Sequence, residues 1–304
     1  MSRRRLGPIA ALVTLAVLGG SGVAVAAWSA SASLTATASA STPATTIAQS
    51  GALTTTYQYT GTSSAAVSGS LTIKNTGGTP LAYSLATDLT GSSTLAQMTT
   101  LSLWTGNCAG AVPADAVKTT LANPTPALPA AARSLASGST AVVCVATRVE
   151  GRDAASSNTA LQGQSVTAAF RVTGAVGTNW TATATAGSVT QSVYQLAAAG
   201  ALTCTNVRVF AIFPAVRLSW TAPANRPAGA HVTYEIVDGT GRVVKKVTGS
   251  EDIIIEGKDF SGNGTYALTV RAVDTTYGTT AAASAPVSVD RTWVSPGNTR
   301  SDCA

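Results

Sequence analysis

The sequence is short of the residues from which most active sites are built. Of its 304 residues one is histidine, four are cysteine and two are methionine, and only 11% are charged, against about 25% in an ordinary soluble protein. One histidine excludes a His-Glu-x-x-His zinc helix, which needs two imidazoles on one face beside a carboxylate base. Leu, Glu and Lys, which build bundles and coiled coils, give way to Thr, Ser, Val, Gly and Ala. That composition favours strands, and the length suggests about two domains. It excludes a charged disordered tail and a coiled coil. With one long apolar run only, it also excludes a polytopic membrane protein.

The net charge of +6 is half accounted for by Arg3, Arg4 and Arg5. From Trp28 to Gly200 six Lys/Arg face four Asp/Glu, and from Ala201 onward ten face nine. The signs are interspersed and no dense basic patch forms, so nucleic acid is not an expected partner despite the basic pI.

Those three arginines form the n-region of an export signal. Ile9–Leu18 is the apolar h-region, Gly19-Gly-Ser-Gly22 breaks it, and Ala24-Val-Ala26 is a small-x-small cleavage site. Leu6–Ala27 is also long enough to span a bilayer uncleaved; the Gly/Ser break and the Ala-x-Ala site argue for removal of residues 1–27. No Leu-Pro-x-Thr-Gly sorting sequence is present. The expected location is extracellular, secreted or loosely held at the cell surface, with membrane contact only through the signal before cleavage.

Cys108, Cys144, Cys204 and Cys303 all follow that signal, and an even count outside the cell suggests disulfides. Three connectivities are possible. Cys108–Cys144 and Cys204–Cys303 are expected, because each pair falls inside one proposed domain; no Cys-x-x-Cys spacing favours zinc. The second pairing requires the tail, residues 291–304, to double back along its domain. Its length suffices, since 13 steps reach up to ~43–47 Å when extended, and Trp293 and Val294 offer apolar surface with which to lie down.

Residues 28–46 are Ser/Ala/Thr-rich and too poor in large apolar residues to form a core. Residues 47–195 read as strands. Leu71 and Ile73 alternate with Thr72 and Lys74; Val166, Ala168, Phe170 and Val172 share one face; Trp180, Ala182, Ala184 and Ala186 repeat the pattern. This period of two suits half-buried antiparallel strands. Asn75-Thr-Gly-Gly-Thr-Pro80 reads as a turn. Residues 196–204 are a linker, and 205–290 a second set of strands bearing Leu218-Ser-Trp220, Val232–Val237, an Asp238-Gly239 turn, Tyr266–Val273 and Ala285–Val289 as the last.

Three motifs of the first domain resemble the TasA/camelysin family of bacterial exported matrix proteins: Ala26-Ala-Trp-Ser29, Leu71–Ser84 around its Asn-Thr-Gly turn, and Asn158 followed by Leu161-Gln-Gly-Gln-Ser165. The resemblance implies a jelly-roll sandwich and fibre formation in a biofilm matrix, an N-terminal segment of one subunit completing the sheet of the next. Ser31–Thr56, read as flexible and free after cleavage, is the candidate donor. The second domain resembles a fibronectin type III module, an immunoglobulin-like sandwich with Trp220 in its core and Tyr266 at its tyrosine corner. The expected fold is therefore all-β, a jelly-roll-like sandwich followed by a fibronectin type III-like one.

Chemistry is hard to find. A Ser–His–Asp triad could use only His231, which begins a strand, and no Gly-x-Ser-x-Gly elbow accompanies it. Paired carboxylates for glycoside hydrolysis would come from Asp88, Asp115, Glu150 and Asp153. Glu251, Asp252, Glu256 and Asp259 surround Ile253-Ile-Ile255 without the order of a calcium loop, and read as gatekeeping charges beside an aggregation-prone strand. Asn179-Trp-Thr and Asn263-Gly-Thr match the glycosylation sequon by pattern only. No catalytic, metal or cofactor-binding residue is assigned. The expected function is a non-catalytic secreted structural or adhesive protein, whose partners are itself, by strand exchange, or cell-surface and matrix components. The alternative is a secreted enzyme or carbohydrate-binding accessory protein with a type III spacer.

Overall fold

The computed structural model describes residues 42–58, 64–150, 160–210, 212–295 and 298–304. The export signal, most of the Ser/Ala/Thr-rich segment, Asp153 and Asn158 lie outside the described residues. The described chain is nearly all β, as the composition predicts, and its sheets enclose two main cores, each within a sandwich.

The first sandwich is built from Thr45–Gly51 (β1), Thr55–Tyr57 (β2), Val67–Asn75 (β3), Leu81–Gly91 (β4), Thr99–Thr105 (β5), Val117–Thr120 (β6), Ser134–Leu135 (β7), Thr140–Val149 (β8), Ser165–Val176 (β9), Trp180–Thr185 (β10) and Val189–Val193 (β11). One sheet runs β1-β3-β8-β5-β6 and the other β2-β11-β9-β4-β7, with β10 on the far half of β9. All ladders are antiparallel except β2 on β11. The period-two positions face inward: Leu71, Ile73, Val166, Ala168, Phe170 and Val172 are buried together. Along β10 the pattern fades, Ala186 being buried just beyond the strand while Trp180 at its start is about half exposed. One short helix, Ser93–Met98 (α1), was not legible as such; Ser92 caps it, its Oγ accepting from the Leu95 amide at 3.1 Å.

The stretch expected as a linker is packed. Leu196, Ala199 and Leu202, with Tyr194 just before the stretch, belong to the core of the second sandwich. The Tyr194 hydroxyl donates to buried Asp274 at 3.4 Å, Tyr277 donates to Gln58 at 3.0 Å, and Gln162 donates to the Gly278 carbonyl at 2.9 Å. Burial, with the Asp274 charge, pushes the Tyr194 phenol up to about 12, so it remains a donor.

The second sandwich sets Thr203–Val209 (β12), Phe213–Ser219 (β13) and Asp252–Glu256 (β16) in one sheet, ordered β12-β13-β16. The other is ordered β15-β14-β17-β19-β20, from Val243–Thr248 (β15), Val232–Asp238 (β14), Gly264–Asp274 (β17), Val287–Ser295 (β19) and Asn298–Cys303 (β20), with Thr279–Thr280 (β18) beside β17. Trp220 and Tyr234 meet at 5.1 Å in the core, and the Tyr266 hydroxyl donates to the Gly262 carbonyl at 2.8 Å. The strand read as last is not the last. It runs on to Ser295, and the tail returns beside it as β20, with Cys303 opposite Val289. The doubling back occurs as an antiparallel hairpin, because strand pairing satisfies the tail's backbone groups.

Candidate functional site

Both expected disulfides form, and among the described residues no cysteine is free. Two such bonds suit an oxidising environment. Cys204–Cys303, with Cα atoms 5.8 Å apart, ties β12 to β20 across the two sheets. Cys108–Cys144, at 4.9 Å, pins the loop after β5 over the outer face of its sheet, where Trp104, Cys144 and Ala146 make a small apolar cluster with Val112 and Ala116.

The carboxylates around Ile253–Ile255 are each engaged by a cation. Glu251, Asp252, Glu256 and Asp259 each meet a different cation: Arg226 at 3.9 Å, Arg217 at 3.5 Å, Lys258 at 3.0 Å and Lys245 at 3.1 Å. Asp88 pairs with Arg171 at 3.1 Å, and Asp115 is exposed. His231 is an exposed residue at the start of β14. Among the described residues no group of three or more His, Cys, Asp or Glu could hold a metal ion. A groove of about 580 Å³ lies beside the pinned loop, lined by Thr100, Ser102, Val112, Lys118, Arg148 and Glu150. Its carboxylate is held by Arg148 at 2.8 and 3.0 Å and accepts from the Thr100 hydroxyl at 2.5 Å.

The most heavily built polar feature is the Asn-Thr-Gly turn. Asn75 is fully buried. Its amide nitrogen donates to the carbonyls of Thr79 at 2.8 Å, Leu135 at 3.0 Å and Ala136 at 3.2 Å, while its side-chain oxygen accepts from the Gly77 amide at 3.0 Å. The amides of Thr76 and Gly77 then both donate to the Ala44 carbonyl, at 2.9 and 3.0 Å. This is where the N-terminal chain enters the sandwich. A Cβ on Gly77 would come within 2.7 Å of the Ala44 nitrogen, so only glycine leaves room for that approach. The turn is thus a dock for the N-terminal strand, a role that no sequence signal beyond the motif itself announced.

The docked strand is lightly held. β1 ladders only with β3, from Thr45 opposite Asn75 to Gly51 opposite Gly69. Ile47 is its one apolar side chain packed on the core, helped by Tyr83 donating to Thr45 at 3.1 Å and by a 2.9 Å contact between the Ser50 and Ser70 hydroxyls. Its outer edge runs alongside β10 without laddering to it. The expectation that all of Ser31–Thr56 is free is therefore corrected: residues 45–51 and 55–56 are strands of the chain's own sheets, because an edge was available to satisfy their backbone groups. Inside, β2 is anchored through Tyr57, whose hydroxyl donates to Thr147 at 2.8 Å. Burial pushes that phenol up to about 12, the Thr147 hydrogen bond opposing the shift.

The other unusual surface is at the far end of the second sandwich. Phe210, Ile212 and Phe213 in the β12–β13 hairpin are 85%, 63% and 43% exposed, and Trp293 and Val294 near the end of β19 are each 52% exposed. These last two were expected to lie down on the sandwich; they stand out instead, since β19 carries them beyond the core. Phe210 has φ +50°, the one described non-glycine residue in the left-handed region, a conformation costing roughly 1–2 kcal/mol outside glycine.

No protein family and no curated protein matches this chain.

Proposed function

We propose that this is a non-catalytic exported structural or adhesive protein that assembles with copies of itself by exchanging its N-terminal strand. The first sandwich is read as TasA/camelysin-like and the second as a fibronectin type III-like module. The Asn75–Gly77 dock carries the reading: a built receptor, buried amide included, receives an edge strand that contributes a single core side chain. A strand so held can leave its own dock and enter that of a second copy, regaining the same ladder and the same Ile47 contact. The chemistry of the docked state is then the chemistry of the polymer, with the strand in cis in one and in trans in the other. The second-sandwich reading is supported by the β12-β13-β16 and β15-β14-β17-β19 orders and by the Tyr266 corner. Both disulfides and the n-region, h-region and Ala-x-Ala series support export.

The test is a staple. Ala48 and Thr72 are direct partners in the β1–β3 ladder, a spacing a disulfide can bridge. The chain carrying Ala48→Cys and Thr72→Cys, oxidised as monomer, is expected to form no filaments by electron microscopy, while each single variant still does. Filaments from the stapled chain would contradict strand exchange.

A further inference from the structure

We infer that the apolar end of the second sandwich is a membrane-contact surface that inserts into the outer part of a lipid bilayer. The inference is independent of strand exchange, which concerns the other sandwich.

Phe210, Ile212 and Phe213 come from one hairpin and Trp293 and Val294 from another, and the two hairpins are neighbours. A groove of about 270 Å³ is lined jointly by Phe210, Phe213 and Pro214 of the first, Asn298 and Thr299 of the second, and Lys258 between them. Trp293 is the direct partner of Thr299 in the β19–β20 ladder, so it shares the face that closes this groove. Phe210, Phe213 and Trp293 are therefore one patch, with Ile212 and Val294 their immediate chain neighbours. Taking a large aromatic side chain at 150–250 Å², its exposed apolar area is roughly 500 Å², near the upper range for the surface of a monomer.

The occupant follows from shape, area and charge. A stable protein partner needs about 800 Å² from each side over a complementary surface, more than these side chains offer. Side chains standing out from hairpins fit a penetrable medium better than a second protein face. Tryptophan and phenylalanine are suited to the boundary between headgroups and acyl chains. The net flanking charge is cationic: Lys258 is paired at 3.0 Å with Glu256, which also lines the groove, while Arg208, beside Val209 on β12, is exposed and makes no ion pair among the described residues. Cations at this level attract anionic headgroups, their stems lying along the apolar surface. Among the described residues no helix is long and apolar enough to cross a membrane, so this contact would be peripheral.

Its position also suits the role. β17 runs from Gly264, opposite Arg291, to Asp274, which meets Tyr194 at the junction with the first sandwich. The patch, beyond Arg291, is thus at the pole remote from that junction. Seated on a membrane there, the chain would hold the first sandwich and its β1 edge outward.

The experiment is flotation of the oxidised chain with vesicles of equal phosphatidylglycerol and phosphatidylcholine, and with phosphatidylcholine alone. The chain should float with both and more strongly with the anionic vesicles, the difference shrinking in high salt. The variant Phe210→Asn with Trp293→Thr should bind at least tenfold more weakly with an unchanged melting temperature, because asparagine tolerates the left-handed backbone and threonine suits a strand. Arg208→Glu should reduce only the preference for anionic lipid. Absence of flotation at millimolar lipid, or undiminished binding by the double variant, would overturn the inference. So would concentration-dependent dimers, or binding to purified cell-wall glycan, that the double variant abolishes without any vesicle binding. Filament formation by the double variant should be unchanged, so failure here leaves strand exchange to its own test.

Discussion

The two sandwiches differ in how their chain ends are held. In the first, the N-terminal strand β1 sits at a sheet edge, retained by one ladder, Ile47 and the amides of Thr76 and Gly77. In the second, the C-terminal strand β20 also sits at an edge, yet Cys303 is bonded to Cys204 on the opposite sheet, 99 residues away, and the Cys303 amide donates to Asn206 at 2.7 Å. One terminus is docked and the other is bolted. The disulfide of the first sandwich closes a shorter loop, 36 residues, and fastens a surface loop instead of an end. An edge strand is a site of exchange only where nothing covalent holds it; β1 meets that condition and β20 does not.

Breaking the bolt should give the largest effect. Cys204→Ser with Cys303→Ser should cost about 5 kcal/mol, against about 4 kcal/mol for Cys108→Ser with Cys144→Ser, following the lengths of the loops they close. Calorimetry should show the first pair lowering the melting of the second sandwich and the second pair that of the first. Next is the dock. Asn75→Asp replaces a buried donor facing three carbonyls with an acceptor, and should destabilise the first sandwich by about 3 kcal/mol, read from urea midpoints.

These two predictions mark what the sequence could and could not reveal. The alternation in β3 and β9, Trp220 in the second core, the Asp238 turn and both cysteine pairings are local or topological signals, and each is where the pattern places it. The Asn-Thr-Gly turn was legible as a turn. Its function as a dock was not, because three of Asn75's partners lie at Thr79, Leu135 and Ala136 and the strand it receives is remote in sequence. Residues 196–204 read as a linker because alanine dominates them; Leu196, Ala199 and Leu202, with Tyr194 just before them, suffice to pack the stretch. Trp293 and Val294 were misplaced for a related reason, as alternation gives the face of a strand but not where the core beneath it ends.

A smaller change sharpens the comparison at the dock itself. Gly77→Ala should push the chain at Ala44 outward and cost about 1–2 kcal/mol by overpacking, with faster proteolysis near residue 45 and slower filament growth. The smallest effect is in pH. Glu235 is largely buried between Lys246 at 2.7 Å and Arg271 at 2.5 Å. Hydrogen bonds from Lys246 first and Arg271 next hold its carboxyl below the usual carboxylate range. A lowered folded value means that its stabilisation is present above the unfolded value of about 4.3 and is lost as pH falls through the folded one. Glu235→Gln should therefore cost about 1 kcal/mol at pH 7 and make the acid-melting curve of the second sandwich shallower, while the first sandwich's curve is unchanged.

The most direct measurement is native-state hydrogen exchange on the oxidised monomer, comparing the amides of residues 45–51 with those of residues 298–303. A docked strand opens locally, whereas a bolted one opens only with its sandwich. The expected result is exchange in β1 at least a hundredfold faster than in β20, with Ala48→Cys/Thr72→Cys abolishing the difference. Equal protection in the two strands would contradict the view that the N-terminal strand is the exchangeable end of this protein.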